Sequence, residues 1–193
     1  MNASAKTIDL RLGAIVLLVL VAAATRLVPH PYNFSPLGAI ALFSGALLTR
    51  RWLAIVLPIA AAFVSDLVIN NTLYAEYYDS FVWMAEGSGW IYLIYGLIAV
   101  LGMFVLHTVS LGRVLGGSLG ASILFFIASN FICWPGNPFY AQDLGGLMTC
   151  YAAGVPFFPG TVAGDLVYSA ALFGGYALLQ RYLPELRVVP VRR

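Results

Sequence analysis

Long apolar runs separated by short polar or proline-rich connections dominate the chain from residue 11 to residue 182. Six runs stand out, at 11–28, 36–49, 52–70, 89–109, 112–133 and 160–182. A helix that crosses a bilayer needs about 20 apolar residues, and every run but the second comes close to that length. The second either crosses nearly upright, borrows Phe34 and Ser35, or is re-entrant. The pattern predicts an all-α, polytopic membrane protein: a six-transmembrane-helix bundle forming a single transmembrane domain over residues 1–193.

Composition agrees. The chain is 61% hydrophobic and only 9% charged, against roughly 25% charged in a soluble domain. The distribution of charge then orients the bundle. Nine of the ten Lys and Arg residues fall where six crossings with cytoplasmic termini put the inner ends. Lys6 and Arg11 precede the first run, Arg50 and Arg51 separate the second and third, and Arg113 lies where the fourth and fifth meet. Arg181, Arg187, Arg192 and Arg193 end or follow the sixth. Cytoplasmic connections carry such an excess of Lys and Arg. It also favours a crossing for the short second run, because otherwise Arg50 and Arg51 would share a side with Glu76, Asp79 and Glu86. The location this implies is the bacterial cytoplasmic (inner) membrane, multi-pass.

Arg26 is the exception, alone at the outer ends. Asp66 closes the third run and Asp165 opens the sixth, both near the same level. Asn33 and Asn130 lie at similar depth. An ionisable group at membrane depth is costly and normally faces the protein interior with a partner, so Arg26 should contact Asp66 or Asp165. The outer segments 71–88 and 134–159 are rich in Tyr, Trp and Phe. An interfacial aromatic belt accounts for many of these, and Trp134 and Tyr151 are candidates to line a lid. Apolar walls with a few placed polar groups describe a small-molecule pocket. The candidate substrate-binding set is therefore Arg26, Asn33, Asp66, Asn130, Trp134, Tyr151 and Asp165. The competing reading is that these groups only lock helices together.

Small residues recur at four-residue spacing: Ala41 and Gly45, Gly112, Gly116 and Gly120, and Gly160 and Gly164. Such faces let helices approach closely. An internal repeat is suggested by Asn33-Phe34 ahead of Asp66-Leu67-Val68 and Asn130-Phe131 ahead of Asp165-Leu166-Val167. Two inverted halves would be a transporter architecture. Cys133 and Cys150 both fall on the outer side, where a disulfide is permitted, and neither has metal-ligand spacing. HExxH and Walker A motifs are absent. No catalytic residue, metal or cofactor is expected, and no nucleic-acid module is present.

The stretch Pro29-His30-Pro31-Tyr32-Asn33-Phe34-Ser35-Pro36-Leu37-Gly38-Ala39, followed by Leu42-Phe43-Ser44-Gly45-Ala46, resembles an uncharacterised family of small bacterial six-helix membrane proteins described as candidate transport proteins. Ser65-Asp66-Leu67, Ser129-Asn130-Phe131, Cys150-Tyr151 and Gly164-Asp165-Leu166 extend the resemblance. More distantly the layout is similar to the S-components of energy-coupling-factor vitamin transporters, a similarity carried by the Pro-Leu-Gly-Ala start, a Gly-Ala helix and the aspartate near the end of the third helix. That resemblance implies capture of a small vitamin-like or cofactor-like solute in an outward-facing pocket. It also implies a transmembrane coupling subunit with ATPases as partner, besides the lipid bilayer. One departure concerns docking: S-components often carry alanines four apart on the first helix, whereas this chain has Ala14, Leu18 and Ala22. A non-transport scaffold or assembly subunit, and an ion-coupled secondary carrier titrating Asp66 or Asp165, are the alternatives.

Overall fold

The structure is a computed structural model that describes the backbone of residues 3–186 and side chains from residue 10 onward. Arg187, Arg192, Arg193 and the Lys6 side chain lie outside what is described. Seven α-helices follow in order: α1 (Ala3–Ala24), α2 (Leu37–Leu47), α3 (Arg51–Thr72), α4 (Ser88–Val105), α5 (Leu111–Cys133), α6 (Leu144–Gly154) and α7 (Phe158–Tyr182). No strand occurs among the described residues. Five helical segments are long and apolar enough to cross a membrane: 10–27, α3, α4, α5, and the continuous stretch from α6 through α7. Their outward faces carry large apolar side chains, such as Leu17 at 60%, Val64 at 56% and Ile127 at 52% exposure. Soluble monomers rarely expose contiguous apolar area on that scale, so the exterior suits lipid.

The predicted second crossing is the short, central helix. At 1.5 Å per residue the 11 residues of α2 span only about 16 Å, half of a hydrocarbon core of about 30 Å. Every residue from Leu37 to Gly45 is buried, so α2 meets other helices and not lipid. The non-helical segment 28–36 leads into it, exposed over residues 28–33 and buried at Pro36. Both ends of α2 find complementary charge. The Asp165 carboxylate lies against its first turn beside Gly38 and Ala39. At the far end Arg11 Nη2 donates to the Leu47 carbonyl at 2.7 Å. A helix leaves donors free at its N-terminus and acceptors free at its C-terminus, and its dipole favours an anion and a cation there respectively.

The core sits around α2. Phe43 is fully buried and meets Phe173 and Tyr176 of α7 edge-on, at centroid distances of 5.1 and 6.0 Å. Glycines set the backbone approach to α4. A Cβ at Gly45 would strike the Ala99 carbonyl, and one at Gly102 would strike the Leu42 carbonyl. Gly160 and Gly164 of α7 similarly admit the backbone of Tyr32 and Ser35. The α5 series behaves differently: nothing lies within 4 Å of a Cβ at Gly112 or Gly116. That part of the stripe packs on nothing among the described residues.

One element differs from expectation. The segment 134–159, read as an outer loop, contains α6, which packs on the end of α5. Asp143 caps it, accepting from the Gly146 N–H at 2.8 Å, as an Asp N-cap does. On α1, Ala14 and Leu18 pack against the core and Ala22 is buried, so the face considered for docking points inward.

Candidate functional site

The end of the bundle where α1 stops gathers the polar groups. Arg26 lies in a short 3-10 turn, Thr25–Leu27, that continues α1. Its Nη1 lies 2.7 Å from Asp66 Oδ1 on α3, the two side chains being 17% and 22% exposed. The same nitrogen donates to Ser65 Oγ, which in turn donates to the Ala61 carbonyl at 2.7 Å. Tyr92 of α4 donates to the other Asp66 oxygen at 2.9 Å. One arginine, one carboxylate and two hydroxyls thus tie α1, α3 and α4 together with their charges balanced. Asp66 lies in the C-terminal half of α3, away from the helix N-terminus that would favour an anion, and Arg26 supplies the compensation.

Asp165, 3% exposed, is held differently. Ser122 Oγ of α5 donates to its Oδ2 at 2.7 Å, and the Ala39 backbone is a further hydrogen-bond partner. One turn along each helix, Ser118 donates to Ser169 at 2.8 Å. The antiparallel pairs 122–165 and 118–169 form a polar ladder between α5 and α7. Gly38 leaves room for the arrangement, because any side chain there would strike the carboxylate. Among the described residues no cationic side chain is ion-paired with Asp165.

Segment 28–36 closes over these groups. Asn33 has φ +58°, a left-handed conformation that Asn tolerates better than most residues. The turn is tied by Phe34 N–H to the Pro31 carbonyl at 3.1 Å and Ser35 N–H to the Asn33 carbonyl at 3.0 Å. Beneath it lies a cavity of about 360 Å³, within the range of small-ligand pockets. Arg26, Asn33 and Asp165 line it, with Ser35, Thr161 and His30 adding polar atoms. Tyr32, Tyr74, Tyr95 and Phe125 supply aromatic wall, the last two stacked at 5.6 Å and 19°.

The predicted set therefore divides. Arg26, Asn33 and Asp165 share the cavity, and Asp66 adjoins it through Arg26. Asn130, Trp134 and Tyr151 are not among its lining residues. Asn130 donates to the Phe126 carbonyl at 2.8 Å and packs against Gly154. Trp134 donates to the Ala141 carbonyl at 2.8 Å, and Tyr151 to the Ile127 carbonyl at 2.9 Å. All three secure α6 and its leading loop on α5. The nearby thiols of Cys133 and Cys150 are both free. Ser122, Tyr92, Tyr95 and Phe125 join the site although nothing in the sequence patterns above singles them out. The serines did carry a signal: Ser118 and Ser122, like Asp165 and Ser169, repeat at the four-residue spacing of one helix face.

No group of three or more His, Cys, Asp or Glu residues that could hold a metal occurs among the described residues. No curated protein and no solved structure is significantly similar to the chain. One family profile does match, covering residues 6–186, and the chain accordingly belongs to DUF6580, a family of unknown function.

Proposed function

We propose that this protein binds a small vitamin-like or cofactor-like solute in the Arg26–Asp165 cavity and takes part in its transport, in the manner of an S-component. The observation that carries the reading is the cavity itself. A bundle whose polar groups served only to lock helices would have no reason to leave about 360 Å³ between a buried carboxylate, an arginine and an aromatic wall. The reading includes six crossings of a bacterial cytoplasmic membrane with both termini inside. Segment 28–36 together with α2 makes the second crossing. Arg11, Arg50, Arg51, Arg113 and Arg181 belong to the end opposite Arg26, in keeping with an outward-facing cavity. No catalytic step is part of the proposal. A coupling subunit with ATPases would dock on a face other than Ala14–Leu18–Ala22, which is turned inward.

The scaffold reading draws on a specific observation too, the closed Arg26–Asp66–Tyr92 network. Native mass spectrometry of gently purified protein separates the two. A co-purifying small molecule, released when the chain unfolds, is the expected result. Protein that carries no solute, and gains no stability from any member of a broad vitamin and cofactor panel, would favour the scaffold.

A further inference from the structure

We infer that the cavity selects a planar organic cation or amidine-like donor group, recognised by Asp165 and packed against aromatic wall; the inference rests on the solute-binding reading above. Charge comes first. Arg26 enters the cavity already neutralised by Asp66 at 2.7 Å, and Tyr92 occupies the second Asp66 oxygen. That pair brings little net field. Asp165 also lines the cavity, and it has hydroxyl and backbone donors but no cation among the described residues. A carboxylate offers about four acceptor positions, and Ser122 and Ala39 use two. The rest are free to accept from a ligand. A buried acid at membrane depth is expensive without a positive partner, and a cationic ligand supplies one.

Shape comes second. A single water takes up about 30 Å³ in the liquid, so a cavity of about 360 Å³ has room for an organic molecule and not merely a bare ion. The stacked pair Tyr95 and Phe125 and the rim residues Tyr32 and Tyr74 present rings to it. Aromatic faces attract cations, the more so when desolvated. Planar N–H donors match a carboxylate in bidentate fashion. Anion and aromatic wall together fit a flat, delocalised cation better than a carboxylate or phosphate.

Three probes of one shape and three charges test this on the full-length protein in nanodiscs near pH 7: benzamidinium, benzamide and benzoate. Thermal unfolding against probe concentration is the readout. Benzamidinium is expected to bind at least about tenfold tighter than benzamide, the difference between a charged and a neutral hydrogen bond, with benzoate weakest. Asp165→Asn should remove the gap between the first two. Asp165 also holds the first turn of α2, so the order measured on the unaltered chain tests the charge preference even where the variant fails to fold. Equal binding of the three, or benzoate first, would overturn the charge assignment and leave a solute cavity standing. A benzamidinium preference that persists in folded Asp165→Asn would take recognition away from this residue and overturn the proposal. Saturable binding of none would overturn the cavity reading along with it.

Discussion

Two carboxylates at one end of the bundle have opposite circumstances, and the difference is in their neighbours. Asp66 has a guanidinium at 2.7 Å and a phenol at 2.9 Å. Asp165 has a serine at 2.7 Å and the start of α2. Arg26 and Asp66 are partly buried, so their coupling should exceed that of an exposed pair, which is about 0–1 kcal/mol. A double-mutant cycle with Arg26→Met and Asp66→Asn, followed by thermal unfolding, should give a coupling of about 1–3 kcal/mol. Additive effects would mean the contact does not stabilise the fold. Ser122→Ala should destabilise by about 1.5–3 kcal/mol, the range for a hydrogen bond to a charged group, and more than Ser169→Ala, whose partner is a neutral hydroxyl. Part of this was legible in the residues themselves. Arg26 breaks the pattern of basic ends, and that exception announced a partner at its own level. Which aspartate it would choose was not legible, because the choice depends on how α1 sits between α3 and α7. Ser122 was hidden for a related reason: its role appears only when α5 and α7 lie side by side.

At the scale of elements, α2 organises the fold although it is among the shortest helices. Its enclosure depends on glycines that bring two backbones together, and these can be told from glycines that merely recur. Gly102→Leu would drive a side chain into the Leu42 carbonyl, a collision with backbone that no rotamer relieves. It should destabilise by more than the about 1–3 kcal/mol typical of overpacked cores, or prevent folding. Gly116→Leu meets open space and should leave the melting temperature within a few degrees; parity between the two variants would refute the account of α2–α4 packing. Phe43→Ala, which empties the contact with Phe173 and Tyr176, should lower stability by about 3–5 kcal/mol. The apolar runs were legible because bilayer-length stretches leave a strong signal. The helix α6 was not, because Asp143 opens it but Gly145 and Gly146 follow at once, and glycine is a poor helix former. Asn130, Trp134 and Tyr151 were drawn into the site on the strength of depth and aromatic character. Their hydrogen bonds go elsewhere: Asn130 to its own helix α5, Trp134 to the loop before α6, and Tyr151 from α6 back to α5.

For the whole molecule, charge distribution and cavity position have to tell one story. The described basic residues other than Arg26 belong to one end and the cavity opens at the other, so the cytoplasmic-termini orientation makes the cavity face outward. That orientation requires α2 to complete a passage with only about half the needed helix, supported by segment 28–36. A re-entrant passage would put Arg50 and Arg51 on the same side as Arg26, whereas α3 starts at Arg51 and reaches Arg26 only at Asp66. Single cysteines decide the matter in a background with Cys133 and Cys150 replaced by serine, since Cys133 is exposed and would react by itself. In intact cells a membrane-impermeant maleimide should label Asp79→Cys and Asn137→Cys, both in connections at the Arg26 end. It should label Arg50→Cys only after the cells are opened. Labelling of Arg50→Cys from outside would remove the second crossing, and labelling of it alone would turn the cavity toward the cytoplasm. In that event a role in export, or in receiving solute from inside, would replace uptake, while the contacts of Asp165 and the ligand chemistry they favour would stand unchanged.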